Sequence, residues 1–417
     1  MKNATLAAAA CAAALAALST LALADDNDRG RFPRNATFST LALTPLAIEG
    51  LTADRAGNLY TTGRELVEDK CPVWRFTGAT RTTVGFIPNP ATARCNPSGI
   101  AFDAHGNLYV ADGGPAATVW KLTPNADTPP LAASFATGVP GTNGLAFDDD
   151  GNLWTGDGTT GNGRVWKINS AGGACEPSFT GCVEAFRIQP MANVIDPPAS
   201  AVANVGRDVR TLPPGTINAA RAATNTAGSQ PLVANGLAFT RDGDLYVADT
   251  ARGAIWKVEF DRRGSIKSKT GCDTTFTANT LCLDSVFVAH PYLEGTDGIA
   301  LDRAGNIWNS ANERNAIVVV TRNRDVIEIF RTPVNAAGLR NSADPAVGNN
   351  RILEFPTSPV LAGKRFCTSQ SDGDRRDNSP RAAGEVNAGA TDAVTPRGKI
   401  SCMDQALEIP GLPLPVH

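Results

Sequence analysis

Histidine is scarce in this chain: three occur in 417 residues, beside nine cysteines whose spacings match no zinc site. Both shortages argue against a His/Cys metal centre. No serine, histidine and aspartate fall in an order that reads as a nucleophilic triad, and no glycine-rich phosphate loop is present. Any hydrolysis would therefore use water as the nucleophile. Charge is sparse and balanced, with a formal net charge of −3 and no basic stripe, which argues against a nucleic-acid partner. Beyond the first two dozen residues no run is apolar enough to cross a bilayer. Helical periodicity is slight, and no long Pro/Ser linker divides the chain into domains.

What is present begins with an export signal. Met1 and Lys2 open a short basic region, Leu6 to Leu18 is an Ala/Leu run, and Ala22 and Ala24 are the small residues that a signal peptidase reads. Cleavage is expected after Ala24, so that residues 1–24 are a signal peptide and 25–417 the mature, periplasmic or secreted protein. Cys11 leaves with the signal. The remaining cysteines are even in number, as expected for disulfides in an oxidising compartment. Nearest-neighbour pairing would join Cys71 to Cys95, Cys175 to Cys182, Cys272 to Cys282 and Cys367 to Cys402.

One pattern repeats along the mature chain. In Asn235 to Asp249 a polar residue precedes a glycine, a short apolar strand follows, then an Asp-Gly turn and a second strand. Glycine in the turn supplies the positive φ that a tight hairpin needs. Further copies begin at Glu49, Ser98, Asn143 and Asp297, and a degenerate sixth at Thr357 to Pro359 has Arg365 to Cys367 in its second strand. A period of about 45 residues, with two hairpins per unit, is the mark of a four-stranded propeller blade. No copy falls between Asn169 and Asn235. The expected fold is all-β: a six-bladed β-propeller with loop insertions on the top face, closed by Ala406 to Ile409 or by Thr37 to Leu43.

Alternation of strand direction then places the loops. If the polar residue opens the innermost strand at the top, blade-to-blade connections return to the top, including the long insertion 189–234 and the segment 332–356. These are expected to form a lid that selects the substrate. The loops carrying Cys175–Cys182 and Cys272–Cys282 come out at the bottom.

Equivalent positions of the blades converge on the central channel. The residues before the glycines are Glu49, Ser98, Asn143, Asn235, Asp297 and, in the sixth copy, Ser358. Two carboxylates and two amides facing one axis make an all-oxygen set suited to a hard divalent cation such as Ca²⁺. Any single Asn or Asp before Gly is an ordinary turn residue, so it is the register of the set that carries the reading. The Asp at 112, 157 and 249 reads as a loop cap.

The chain resembles the senescence marker protein/gluconolactonase family of regucalcin-like six-bladed propellers. The resemblance lies in Asn235 to Phe239 with Leu245 to Thr250, in Thr296 to Asp302 with Gly305 to Trp308, and in Ile48 to Gly50. It implies Glu49, Asn235 and Asp297 as ligands of one divalent metal, most simply Ca²⁺, with Zn²⁺ or Mn²⁺ as alternatives. Asn143, from its register, is a fourth ligand or a contact to substrate. The implied activity is hydrolysis of a lactone or related ester, with Asp297 also as proton acceptor and a small molecule as substrate of a monomeric enzyme. The third blade departs from the family pattern: Thr142 and Asn143 stand where an Asn-Asp pair is usual, and the upstream arginine is missing. The same hairpin repeat occurs in NHL-type propellers, so a non-catalytic binding propeller with a structural calcium is the alternative, and a phosphotriesterase-like hydrolase a third.

Overall fold

A glycine at positive φ closes the bottom hairpin in five of the repeats, with φ between 77° and 84° at Gly57, Gly106, Gly151, Gly243 and Gly305. In four of them an aspartate three residues earlier finishes the turn. Asp54 accepts hydrogen bonds from the backbone of Ala56 and Asn58, both at 2.9 Å, and its other oxygen accepts one from the Tyr60 hydroxyl at 3.0 Å. Asp148 and Asp302 do the same with Trp154 and Trp308, whose indole N–H groups donate at 2.9 and 3.2 Å. One carboxylate thus fixes both the turn and the aromatic side chain of the next strand. In the fourth repeat Thr240 takes its place, its hydroxyl accepting from the Asp244 backbone at 3.1 Å.

In the computed structural model these hairpins build six antiparallel blades around a channel. The residues described are 31–33, 36–89, 96–113, 117–189, 233–293, 295–332, 353–371 and 398–414. The innermost strands are Thr52–Ala53, Pro97–Phe102, Thr142–Phe147, Ala234–Phe239, Thr296–Leu301 and Pro356–Ala362, and each packs on the next around a closed ring. The second blade gains a fifth strand, Gly173–Ala174, lent in parallel by the third. The sixth blade is completed by the N-terminal strand Phe38–Leu43, paired antiparallel to Lys399–Met403. Of the two closures open in the sequence, the N-terminal one is therefore used. Residues 405–414 instead run across the bottom.

The core lies between blades. In the first three blades the aromatic residue that the aspartate holds meets the phenylalanine ending the innermost strand of the following blade: Tyr60 on Phe102, Tyr109 on Phe147 and Trp154 on Phe239, with ring centroids 4.9, 5.0 and 5.8 Å apart. Such edge-on pairs add about 0.5–1.5 kcal/mol each to the burial of their area.

Disulfides join Cys175 to Cys182, Cys272 to Cys282 and Cys367 to Cys402, as the spacing suggests. Cys71 is also disulfide-bonded; Cys95 lies outside the described residues. So do the expected signal peptide and nearly all of 189–234 and 332–356. The described ends of the longer insertion, Gln189 and Val233, both sit at the polar end of the fourth blade. There the Arg252 guanidinium donates to the Gln189 carbonyl at 2.8 Å and the Thr250 amide to the Val233 carbonyl at 3.3 Å. Among the described residues no helix is long and apolar enough to cross a membrane.

Candidate functional site

The residue before each glycine does not sit in a turn. Asn143, Asn235 and Asp297 are the second residues of innermost strands, and the glycine after each has no positive φ. The glycine is needed for a different reason. A Cβ at Gly50 would lie 2.1 Å from the Ser98 carbonyl oxygen, one at Gly99 2.0 Å from that of Asn143, one at Gly144 2.4 Å from that of Asn235, and one at Gly236 2.5 Å from that of Asp297. Each glycine thus lets one blade's backbone touch the next, and the contacts run in sequence around the channel. Gly298 continues them to Thr357, with 2.5 Å to its carbonyl oxygen. The Thr357 hydroxyl closes the circle by donating to the Glu49 carbonyl at 2.8 Å.

The same place carries a β-bulge. In the second to sixth blades the register of the innermost pair shifts across the polar-Gly step, as between Thr142 and Leu145 or Ala234 and Leu237. A bulge re-aims side chains. The Asn143 amide nitrogen donates to Glu49 Oε1 at 3.4 Å. The two residues belong to blades that are not neighbours, so this bond crosses the channel.

Around that contact the polar set divides. Asp297 is 4% exposed, and its Oδ2 accepts a hydrogen bond from the Asn312 amide at 2.8 Å. The other end of that amide, Asn312 Oδ1, is buried with no hydrogen-bond partner among the described residues. The Asn235 amide nitrogen donates to the Thr250 hydroxyl at 3.2 Å, and that hydroxyl donates to the Thr296 carbonyl at 2.7 Å. Ser98 points elsewhere: its hydroxyl donates to the Thr142 carbonyl at 2.9 Å and so ties the second blade to the third. It belongs to the scaffold.

Arg64 was not among the sequence expectations. Its guanidinium donates to Glu49 Oε2 at 2.6 Å, with both side chains about one-fifth exposed. Glu65 beside it has its carboxyl pushed up by burial, and its Oε2 lacks a hydrogen-bond partner among the described residues. Both Arg64 and Asn312 follow the second strand of their blade, at its polar end. A charged or amide residue at that step was the available signal. The repeated aspartates at that step are structural. Asp112 and Asp249 accept the indole N–H of Trp120 and Trp256 at 3.2 and 3.0 Å, while Asp157 pairs with Arg164 at 3.1 Å.

The donor set fits a hard divalent cation. Every candidate atom is oxygen, two residues are carboxylates, and Asn312 supplies a further buried oxygen without a partner beside Asp297. Among the described residues no three His, Cys, Asp or Glu side chains cluster, so amide oxygens would have to complete such a site.

The sequence model of the SMP-30/Gluconolactonase/LRE-like region matches residues 216–338. The chain therefore resembles that family over its fourth and fifth blades. This span includes Asn235 and Asp297; Glu49 and Asn143 lie outside it. No curated protein matches the chain by sequence. Among solved structures, a luciferin-regenerating enzyme is 13% identical, covering 91% of this chain and 98% of its own, with a TM-score of 0.51. A calcium-binding protein, regucalcin, from Agrobacterium tumefaciens is 15% identical over 89% of this chain and 94% of its own, with a TM-score of 0.49. The PQQ-bound aldose sugar dehydrogenase of Streptomyces coelicolor is 13% identical over 89% and 99%, at 0.49. The first of these likenesses shows a shared propeller fold.

Proposed function

We propose that the chain is an exported, divalent-cation-dependent hydrolase of lactones or related esters, working at the polar end of the propeller channel. The observation that carries the reading is the hydrogen bond from Asn143 to Glu49 across the axis, within a ring whose other members include Asn235 and Asp297. Glu49, Asn235 and Asp297 would hold the cation, most simply Ca²⁺, with Asn143 as fourth ligand or as the group that steadies the substrate. A cation held there would supply polarisation of the ester carbonyl and a more acidic water.

The chain's own residues do the rest. The Asn312 amide, donating to Asp297 Oδ2, fixes that carboxylate. Asp297 is also the group assigned to accept the proton from water. A carboxylate beside a cation is a weak base, so the two roles of Asp297 oppose each other and must be separated by mutation. Arg64 competes with a cation for Glu49, and on leaving it would present its guanidinium to a substrate oxygen. The disulfides fit an oxidising compartment, and residues 1–24 are proposed as the cleaved export signal. The segments 189–234 and 332–356 are proposed as the lid.

The test is one panel. The mature protein is assayed on lactones and aryl esters with Ca²⁺, Zn²⁺, Mn²⁺ or chelator, and its melting is followed in parallel. Metal-dependent turnover that disappears in Asp297→Ala, with a chelator-sensitive melting temperature that disappears in Glu49→Gln, is the expected result. A protein that purifies metal-free and melts identically with and without chelator sinks the metal site. Tight metal binding without turnover leaves a binding propeller with a structural cation.

A further inference from the structure

The channel changes character below the polar ring. Two to four residues further along each innermost strand, or roughly 7–13 Å at about 3.3 Å per residue, the walls are apolar. The position three residues after the polar one is Ala101, Ala146, Ala238 and Ala300 in four successive blades. These alanines are small, and between them a cavity of about 150 Å³ remains. Leucine, isoleucine, valine and phenylalanine side chains make up most of its remaining wall, and among the described residues Thr52 is its one polar side chain.

The lower end is covered by the C-terminal segment. Leu412 and Leu414 line the cavity from below. The backbone of this segment is tied to three blades: the Gly411 amide donates to the Gly363 carbonyl at 2.8 Å, Leu412 to Leu301 at 3.1 Å, and the Arg55 side chain to the Leu414 carbonyl at 3.3 Å. Gly411 presses so close to Leu361 that a Cβ there would meet the Leu361 Cβ at 2.3 Å. This is a fitted cover, held in register by hydrogen bonds.

We propose that the lower channel is a binding site for a compact apolar group, of the size of a single aromatic ring. A cavity of roughly this volume lined by Leu, Ile and Phe takes up benzene or xenon. The innermost strands also present backbone amide and carbonyl groups on their channel-facing edges, so the wall is apolar with a few polar points, the common make-up of small-molecule sites. The occupant is either a free molecule or the apolar substituent of a substrate whose polar part lies at the ring above. The site itself does not depend on the metal reading.

Crystals of the mature protein under xenon pressure and a benzene titration followed by NMR and thermal melting provide the test. Xenon should sit on the channel axis between Ala238 and Leu412. Benzene should raise the melting temperature of the wild type, and Glu49→Gln should keep that response. Ala238→Leu, which fills the space, should weaken benzene binding at least tenfold. Leu412→Ala, which enlarges it, should extend binding to naphthalene, so a folding failure in either variant still leaves the other to decide. Competition by aryl-substituted lactones against benzene identifies a substrate's substituent as the occupant; its absence identifies a separate small molecule. A channel without xenon density, together with no benzene response in the wild type, overturns the proposal. So does a benzene response unchanged in both variants.

Discussion

Each innermost strand has two ends, and they are built on opposite rules. At the bottom, the second, third and fifth repeats use the same residues as the first for the same bonds: an aspartate, a glycine at positive φ, an asparagine and an aromatic ring. At the top the position is occupied by Glu, Ser, Asn, Asn, Asp and Ser in turn. What is repeated holds the blades in register, since these four blades have the same turn to close. What varies at a symmetric position is free to serve an asymmetric purpose. The glycines make the contrast sharper: the bottom ones are required by backbone conformation, and the top ones by lack of room.

That difference can be broken by substitution, and the largest effect is expected at the top. Gly236→Ala puts a Cβ against backbone atoms of Asp297 and Gly298, neither of which can move without shifting a strand. A loss of about 3 kcal/mol or more is expected in urea unfolding. Gly243→Ala has nothing within 4 Å of its new methyl and should cost only about 1–2 kcal/mol for its φ of 84°. Gly243→Asn should recover part of that, since Asn tolerates the left-handed region, whereas Gly236→Asn should recover nothing. Equal losses at the two glycines would erase the distinction.

Next in size is the bottom carboxylate. Asp148→Ala removes the acceptor of the Trp154 indole and of the Asn152 backbone. A destabilisation of about 2 kcal/mol is expected from the groups left unpaired, with no change in metal affinity by calorimetry. Arg64→Ala should do the reverse. Stability should move by no more than about 1 kcal/mol, because the ion pair is partly exposed, while Ca²⁺ affinity should rise about fivefold as Glu49 loses its competitor. An affinity that falls would mean that Arg64 supports the site.

The smallest effect is a pair of opposite pH slopes. Burial pushes Asp103 up, but the hydrogen bonds from Asn107, the His105 backbone and Tyr109 together outweigh it, and the carboxyl sits below its ordinary value. For Asp302 burial wins, and the carboxyl sits above it. The contribution of Asp103 is therefore present above about pH 4 and lost as pH falls through its lowered folded value. That of Asp302 is present below about pH 4 and lost as pH rises through its raised one. The cost of Asp103→Asn should shrink on acidification and that of Asp302→Asn should grow, both read from unfolding midpoints between pH 3 and 6. Parallel slopes would show that the two turns share one environment. Tyr60, pushed up to about 12 by burial and the Asp54 carboxylate, stays neutral throughout this range.

The repeated end was legible because its chemistry is local. Asp54 and Tyr60 lie on one hairpin, so their spacing carries the whole contact, and the six blades follow from counting such hairpins. The ring was legible only through symmetry: Glu49 and Asn143 meet across the axis because they hold the same place in different repeats. Arg64, Asn312 and Thr250 were not found because each occurs in one blade alone, and a repeat pattern is blind to what does not repeat. Ser98 was placed in the ring by register but spends its hydroxyl on the neighbouring blade, a choice set by the Thr142 carbonyl within reach. The need for the glycine after each of these residues is not local either. The glycine's partner is the backbone of another blade, far away in sequence.

Because Phe38 pairs with Met403, the sixth blade is assembled from both ends of the polypeptide. A chain made from its N-terminus carries the strand Phe38–Leu43 without a partner until Lys399–Met403 arrives. Until then the first and fifth blades flank a gap, and the strands that border it show unpaired edges open to other molecules. Contacts between residues so far apart in sequence also form slowly, because a long loop must close before they are made. Five blades can stack on local contacts as they emerge, but the circle exists only once the chain is whole. The interval between those two states is when this protein is most exposed to aggregation and proteolysis.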